Sequence, residues 1–251
     1  MAGHSHSANI VHRKGRVDKK RGALFGQLSR ALMVAARHGG PDPSFNFTLR
    51  LAVEKARKNS MPKENIEYAI KRGSGTAEVT DFAELTYEGF GAAGVAVLCD
   101  TLTDNRNRTA AELRRIFEVH GGNMGGAGTV AWMFERKGLF TVPKTATTED
   151  KLFELALEAG ADDVADAGDV FEVTCPVDSF RAVSEAIERA ELPTNSAEIA
   201  RIPANTVTLN LDDARRVLAL LEALEENEDV QNVTANHSIP DDVLAELSAE
   251  G

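Results

Sequence analysis

The sequence predicts an α+β protein in which an N-terminal three-helix bundle is followed by two ferredoxin-like α/β domains, one inserted in the other. Three observations support this class. Residues 1–75 show apolar positions at helical spacing and no strand-like run. From residue 94 onward, strand-like runs alternate with helical ones. Residues 137–203 hold a complete β–α–β–β–α–β series, which is the ferredoxin-like unit.

The first predicted helix carries an apolar stripe, formed by Leu24, Leu28, Leu32 and Ala36. It ends at the Gly-Gly-Pro of residues 39–41. A second helix is predicted from about Asn46, and a third over residues 62–73 with its proline in the first turn. The Gly-Ser-Gly of residues 73–75 predicts a hinge after the bundle.

The inserted unit is predicted to hold strands at residues 138–142, 161–166, 171–175 and 197–202 and helices at 148–159 and 178–190. Two β–α–β segments flank it. The first, at 94–135, has strands at 94–102 and 129–135 and a helix opened by a capping box at Thr109. The second, at 206–235, begins with a strand at 206–211. Neither segment forms a sheet alone, so we expect them to pair. The predicted domains are residues 1–75, residues 76–136 with 204–251, and residues 137–203.

Charge is divided unevenly along the chain. Residues 1–75 carry 15 Lys and Arg against 5 Asp and Glu, whereas residues 76–251 carry 13 against 34. This asymmetry predicts a basic module that meets phosphate, joined to an acidic body. No apolar run is long enough to cross a bilayer, so no membrane partner is expected. Cys99 and Cys175 lie far apart in strand-like runs, which argues against a disulfide framework or zinc site and fits a reducing cytoplasm.

An arm at the N-terminus concentrates the positive charge. Residues 13–21 contain one acid, Asp18, and six cations, namely Arg13, Lys14, Arg16, Lys19, Lys20 and Arg21. Residues 1–20 have no apolar periodicity, so we expect a tail that orders on a partner. Its cations predict phosphate binding with counterion release. The alternative is a solvated tail without a partner, and charge alone does not separate DNA from RNA or the ribosome.

Arg106 and Arg108 stand just before a predicted helix, at the end of the segment 103–109. The N–H groups at a helix start, together with two arginines, can hold a phosphate or a carboxylate. Equally, Thr109 can be a plain helix cap while both arginines pair with nearby acids. The sequence leaves these two interpretations open.

The glycine-rich run at residues 121–128 follows a predicted helix and precedes a strand. Phosphate-binding loops follow a strand and open a helix, so this run is predicted to be a turn and not a nucleotide site. His120 and His237 have no partner at a motif spacing, and no catalytic set emerges. We therefore expect no enzymatic activity, no cofactor and no metal. The alternative is an enzyme that holds an anionic substrate with Asn105, Arg106 and Arg108.

Several motifs together resemble the YebC/PmpR family of bacteria, which has mitochondrial relatives. The matching blocks are MAGHS at 1–5, HRK at 12–14, KRG at 20–22, MPKENIE at 61–67, AIKRG at 69–73, TYEGFG at 86–91, TDNRNRT at 103–109, HGGNMG at 120–125, FERKG at 134–138 and LEENEDVQNV at 224–233. The opening departs from the family at three positions. His6 and Ser7 stand where Lys-Trp is typical, and Val11 stands where Lys is typical.

The resemblance implies a helical N-terminal domain, two α/β domains, no enzymatic activity and no cofactor. It implies a probable transcriptional regulator that binds DNA, or, by analogy with the mitochondrial relatives, a translation factor that binds ribosomal RNA. A binding role carries over to the positions that match the family, namely Arg13, Lys14, Lys20, Arg21, Arg106 and Arg108. Oligomeric state is left open, with a monomer favoured.

Overall fold

The computed structural model describes residues 21–75 and 82–249, which fold into eight α-helices and ten strands. The helices are α1 Arg21–Gly39, α2 Phe47–Lys58, α3 Lys63–Ser74, α4 Arg106–Val119, α5 Glu149–Glu158, α6 Phe180–Arg189, α7 Leu211–Glu225 and α8 Asp241–Ala249. The strands are β1 Ala83–Phe90, β2 Ala96–Thr103, β3 Asn123–Met124, β4 Phe134–Pro143, β5 Asp163–Ala167, β6 Val170–Pro176, β7 Ser196–Pro203, β8 Val207–Thr208, β9 Val230–Ala235 and β10 His237–Ser238. Helices come first and sheets follow, which confirms the predicted α+β class.

The first three helices pack as a bundle around a shared core that includes Leu32 and Leu49. Asn46 sets the start of α2, because its side-chain oxygen accepts the Leu49 N–H at 3.0 Å. The amide of the same side chain donates to the Ala35 carbonyl at 2.7 Å. One buried residue therefore caps α2 and fastens it to α1. The three predicted helices are confirmed.

Gly73 is the point of closest approach between α3 and α1. A Cβ at this position would come within 2.2 Å of the Met33 carbonyl oxygen, so packing demands glycine here. Gly73 and Ser74 both belong to α3, and the hinge predicted at residues 73–75 is therefore wrong at these two positions. Pro62 precedes α3 at its N-cap, one residue earlier than the predicted first turn.

Strands β4 to β7 form the second sheet, which is antiparallel and has the order β5-β6-β4-β7. Its helices α5 and α6 pack around a core that contains Phe140, Leu152 and Phe180. The predicted β–α–β–β–α–β unit is confirmed. The strand predicted at 129–135 is wrong, because β4 is one ten-residue strand that begins at residue 134. It runs through Gly138, where a Cβ would lie 2.5 Å from the Cys175 sulfur.

The first sheet has the order β3-β1-β2-β9. Antiparallel pairing of β2 with β9 joins the two segments that were expected to pair across the insertion. Strand β1 was not predicted, although it pairs with β2 along its whole length. The strand predicted at 206–211 shrinks to β8, which pairs with β10 in parallel. The division of the chain into domains at residues 75, 136 and 203 stays a prediction.

The bundle touches both sheet regions. The Phe47 ring meets Phe180 of the second sheet region edge to face, with centroids 5.9 Å apart. Gln27 donates to the Glu225 carbonyl at 3.2 Å, at the end of α7. The two sheets are linked directly by Arg201, whose guanidinium lies 3.2 Å from the Asp100 carboxylate. These contacts hold the three parts together around a central cleft.

Candidate nucleic-acid interface

Helices α2 and α3 are rich in exposed cations, namely Arg50, Lys55, Arg57, Lys58, Lys63, Lys71 and Arg72, of which Lys55 and Lys58 line the central cleft. Within the described part of the chain, one of these forms an ion pair, since Lys63 lies 3.5 Å from Glu67. Lys58 instead donates to the Thr194 and Asn195 carbonyls, at 3.4 and 3.2 Å. Most of this positive charge is therefore not neutralised by the described carboxylates.

Tyr68 adds an exposed aromatic ring to α3. Its side chain is 65% exposed, and Lys71 and Arg72 follow three and four residues later in α3. Residues at that spacing lie on one face of a helix. A planar ring beside two cations is the combination that stacks a base and neutralises its phosphate. Sequence reasoning missed Tyr68 because its position between Glu67 and Ala69 gives no motif.

The predicted binding residues of the arm cannot be placed on this surface. Arg13, Lys14 and Lys20 lie outside the described residues, as do the departures at residues 6, 7 and 11. Arg21 is the first residue of α1. The arm therefore leads directly into the basic bundle, and its binding role stays a prediction.

Helix α4 places the two remaining predicted residues, Arg106 and Arg108. Asn105 caps this helix, and its side-chain oxygen accepts the Arg108 N–H at 3.1 Å. The capping box predicted at Thr109 is wrong, because Thr109 lies inside α4 and is fully buried. Its hydroxyl is used in a different way, as a donor to a carboxylate.

That carboxylate belongs to Asp229, which is 3% exposed. One of its oxygens accepts three hydrogen bonds, from Arg108 at 2.8 Å, Thr109 at 2.8 Å and Thr103 at 3.1 Å. The other oxygen lies 3.5 Å from the guanidinium of Arg30 in α1. Burial acts to raise the pKa of Asp229, but the donors outweigh it and hold the pKa below its ordinary value of 3.8.

The two predicted arginines therefore differ in their contacts, and the binding role of each stays a prediction. Arg108 is held by Asp229 and also by Asp104 at 3.0 Å. Arg106 is exposed and forms no ion pair with any described carboxylate. Of the three residues that the enzyme alternative assigns to an anionic substrate, Asn105 caps the helix and Arg108 is paired with Asp229.

The central cleft has a volume of about 1850 Å³ and lies between α1 and the open faces of both sheets. Its charged lining is mixed, with Glu84, Asp100, Glu172 and Glu198 beside Lys55, Lys58, Arg136 and Arg201. Among residues 21–75 and 82–249, no group of three His, Cys, Asp or Glu side chains is arranged to hold a metal ion. Across the same ranges, no helix has the length and apolarity that crossing a membrane requires.

Family models match nearly the whole chain. The model described as the TACO1/YebC protein N-terminal domain matches residues 5–76. The model described as the TACO1/YebC second and third domain matches residues 82–237. The two matches meet between the helical bundle and the first sheet.

Curated relatives of similar length carry one name, "Probable transcriptional regulatory protein". The relative from Rubrobacter xylanophilus is 50% identical over 249 residues, covering 99% of this chain and 100% of its own. The relative from Dictyoglomus turgidum is 49% identical with the same coverage. The fold is similar to the crystal structure of a conserved hypothetical protein from Aquifex aeolicus, with a TM-score of 0.83 and 46% identity over 94% of this chain and 98% of that one.

Proposed function

The chain belongs to the TACO1/YebC family, and we propose that it regulates gene expression by binding nucleic acid through its arm and basic bundle, without catalysing a reaction. The observation that carries this proposal is the separation of charge. The bundle exposes Arg57, Lys71 and Arg72 without ion pairs to described carboxylates, while residues 76–251 are strongly acidic. The basic surface attracts phosphate, whereas the acidic residues 76–251 are repelled by it.

The first target we propose is DNA, in the control of transcription. The names of the curated relatives support a regulatory role. Lysine and arginine side chains that contact phosphates release counterions, which gives affinity without sequence selectivity.

A second target, ribosomal RNA in the control of translation, is favoured by one specific observation. Tyr68 is largely exposed beside Lys71 and Arg72, and a ring flanked by cations suits unpaired bases better than a closed duplex. Single-stranded loops that present such bases are common on folded RNA.

We further propose that the protein acts in the cytoplasm, as a monomer and without a cofactor. The two buried cysteines, Cys99 and Cys175, are both free thiols, which supports a reducing compartment. Burial raises the pKa of Cys175 to about 11, so this thiol stays protonated and unreactive near neutral pH.

The test is sedimentation of a native lysate through a sucrose gradient at near-physiological salt, combined with a promoter-DNA gel shift. A matched variant carries glutamine at Arg13, Lys14, Lys20 and Arg21. Migration with ribosomes that is lost in the variant and after nuclease treatment supports the RNA target. A specific duplex shift by protein that stays at the top of the gradient supports the DNA target. If the natural chain shows neither migration with ribosomes nor a duplex shift, that result contradicts nucleic-acid binding.

A further inference from the structure

Trp132 is the single tryptophan of the chain, and its side chain is 76% exposed. It lies in the uncharged segment, residues 119–134, which contains no Asp, Glu, Lys or Arg although 27% of the whole chain is charged. Large aromatic side chains bury much area when they find a partner and are enriched where proteins bind others. The exposed Trp132 is therefore a candidate contact residue.

The loop that presents Trp132 is built by a buried carboxylate. Glu88 of β1 is 5% exposed and accepts the backbone N–H groups of Gly128 at 2.6 Å, Val130 at 2.7 Å and Ala131 at 2.8 Å. Burial acts to raise the pKa of Glu88, but these three bonds and Arg201 outweigh it, and the pKa lies below its ordinary value of 4.5. The carboxylate therefore stays ionised and fixes the loop.

Packing on either side of Trp132 fixes the loop further. Val130 is fully buried and Phe134 is 7% exposed, and both join a cluster on the face of the first sheet with Ala96 and Leu98. Trp132 lies between these two anchors and is exposed instead of joining them. The backbone that carries the ring is preorganised, which lowers the entropic cost of binding through it.

The indole has one polar group, and that group is already used. Its N–H donates to the Thr129 carbonyl at 3.1 Å, so recognition is left to the faces of the ring. The neighbouring loop residues Gly126 and Gly128 have no side chains and therefore place none over the ring.

We propose that Trp132 is a stacking platform for an unpaired nucleobase of a single-stranded nucleic acid. This inference rests on the proposed function and deepens it, because it adds base contacts to the phosphate contacts of the basic bundle. Stacking on an aromatic ring tolerates any base, since every base has a π face. The uncharged segment contributes no carboxylate of its own, and the Glu88 carboxylate that holds its loop is buried and bonded to three N–H groups, which limits repulsion of the phosphates that accompany the base.

A nucleobase fits this site better than a hydrophobic protein surface does. An aromatic hot spot in a protein interface is ringed by residues that exclude water from it. Within the uncharged segment, Val119 is the one other large apolar side chain that is exposed, and the loop residues that precede Trp132 include glycines and Thr129. A cationic protein side chain on the indole face is the competing occupant, and the test separates it.

The experiment titrates the full chain with an end-labelled single-stranded RNA, the same sequence as single-stranded DNA, and the matching duplex. Anisotropy of the label reports binding as a whole. Fluorescence of the single tryptophan, excited where the 2 tyrosines do not absorb, reports Trp132 alone. Variants Trp132→Ala and Trp132→Phe are compared with Phe153→Ala, which removes an exposed aromatic ring from the acidic inserted unit. Thermal melts check that each variant is folded.

We expect tryptophan quenching with the same midpoint as the anisotropy for the single strands, and weaker quenching for the duplex. Trp132→Ala lowers single-strand affinity by about fivefold or more, Trp132→Phe restores part of it, and Phe153→Ala changes little. Which single strand binds more tightly, RNA or DNA, identifies the source of the base.

Binding by anisotropy with unchanged tryptophan fluorescence, and with Trp132→Ala equal to the natural chain, overturns this inference and leaves the proposed function standing. Quenching by an oligoarginine peptide but not by nucleic acid also overturns it, in favour of a basic protein. If the natural chain binds none of the nucleic acids, the proposed function fails first and the inference falls with it.

Discussion

Asp229 and Glu88 are both buried carboxylates, but Asp229 binds side chains whereas Glu88 binds backbone N–H groups. Asp229 gathers side chains from two separate parts of the chain, namely Arg30 of α1 and the segment 103–109, which supplies Thr103, Arg108 and Thr109. Among residues 21–75 and 82–249, no side chain donates a hydrogen bond to Glu88, which instead fixes three N–H groups of one loop. The first therefore joins modules, and the second shapes a surface.

Removing each carboxylate is expected to affect its partners differently. Arg108 has a side chain that is 45% exposed, so it can turn to water when its partner is removed. The N–H groups held by Glu88 belong to a loop that is anchored by Val130 and Phe134. Because the backbone is fixed there, these N–H groups cannot reorient towards water when the carboxylate is removed. Losing Glu88 should therefore cost more stability than losing Asp229.

The largest effect is expected for Glu88→Ala. The Val130 N–H is buried, and those of Gly128 and Ala131 are partly buried. A buried donor left without an acceptor costs about 1–3 kcal/mol and a partly buried one costs less, so we expect a loss of about 3–4 kcal/mol in the free energy of unfolding. Urea unfolding followed by circular dichroism measures it. Glu84→Ala, at an exposed position of the same strand, is the control and should change stability by less than about 0.5 kcal/mol. Equal effects of the two substitutions would contradict the role given to Glu88.

Asp229→Ala is expected to cost about 2–3 kcal/mol, because two buried hydroxyls and two guanidinium groups lose their shared acceptor. Its neighbour Glu228 is 79% exposed and pairs with the same Arg30 at 3.4 Å. Glu228→Ala should therefore cost less than about 1 kcal/mol in the same urea experiment. A larger loss from Glu228→Ala than from Asp229→Ala would show that the joint between modules is elsewhere.

Acidification should weaken both sites. The folded-state pKa values of Asp229 and Glu88 lie below 3.8 and 4.5, so their stabilisation is complete above those values and is lost as pH falls through the lowered folded values. We expect Asp229→Asn and Glu88→Gln each to flatten the fall in unfolding free energy between about pH 5 and pH 2. Parallel pH profiles for the natural chain and both variants would contradict the assignment.

The smallest effects separate Arg106 from Arg108. Arg108→Ala should lower stability by about 1 kcal/mol through the loss of its bonds to Asp229 and Asp104. Arg106→Ala should leave stability within about 0.5 kcal/mol and reduce the salt dependence of nucleic-acid binding by about one unit of slope. The opposite pattern would mean that Arg108 meets the phosphate and Arg106 serves the structure.

Much of this architecture could be predicted from local patterns. The helices of the bundle and the inserted unit were found because each buries one face, and the apolar spacing records that face. Strand β1 was missed although polar Glu84, Thr86 and Glu88 alternate with apolar Leu85 and Tyr87, which is the local pattern of a half-buried strand. What local patterns do not contain is its pairing, because its partners β2 and β3 come later in the chain.

The candidate sites were less predictable for the same reason. Asp229 stands in the acidic run 224–233, where a solvated surface is the usual outcome, and its donors lie about 120 residues earlier. Thr109 has the spacing of a capping box, but Asn105 caps the helix by accepting the Arg108 N–H. The Thr109 hydroxyl instead donates to the buried Asp229. The TDNRNRT and LEENEDVQNV motifs each hold half of one site, and folding brings the halves together.

Phosphate binding by the basic residues 1–75 is tested most directly by the salt dependence of affinity. The logarithm of the affinity for a labelled single-stranded RNA is plotted against the logarithm of salt concentration. The natural chain is compared with a variant that has glutamine at Arg13, Lys14, Lys20 and Arg21, and with a control that has glutamine at Lys151, Arg181 and Arg189 of the inserted unit. We predict that the arm variant lowers the slope by about 3 units and the control leaves it unchanged. An unchanged slope and affinity in the arm variant would contradict the account.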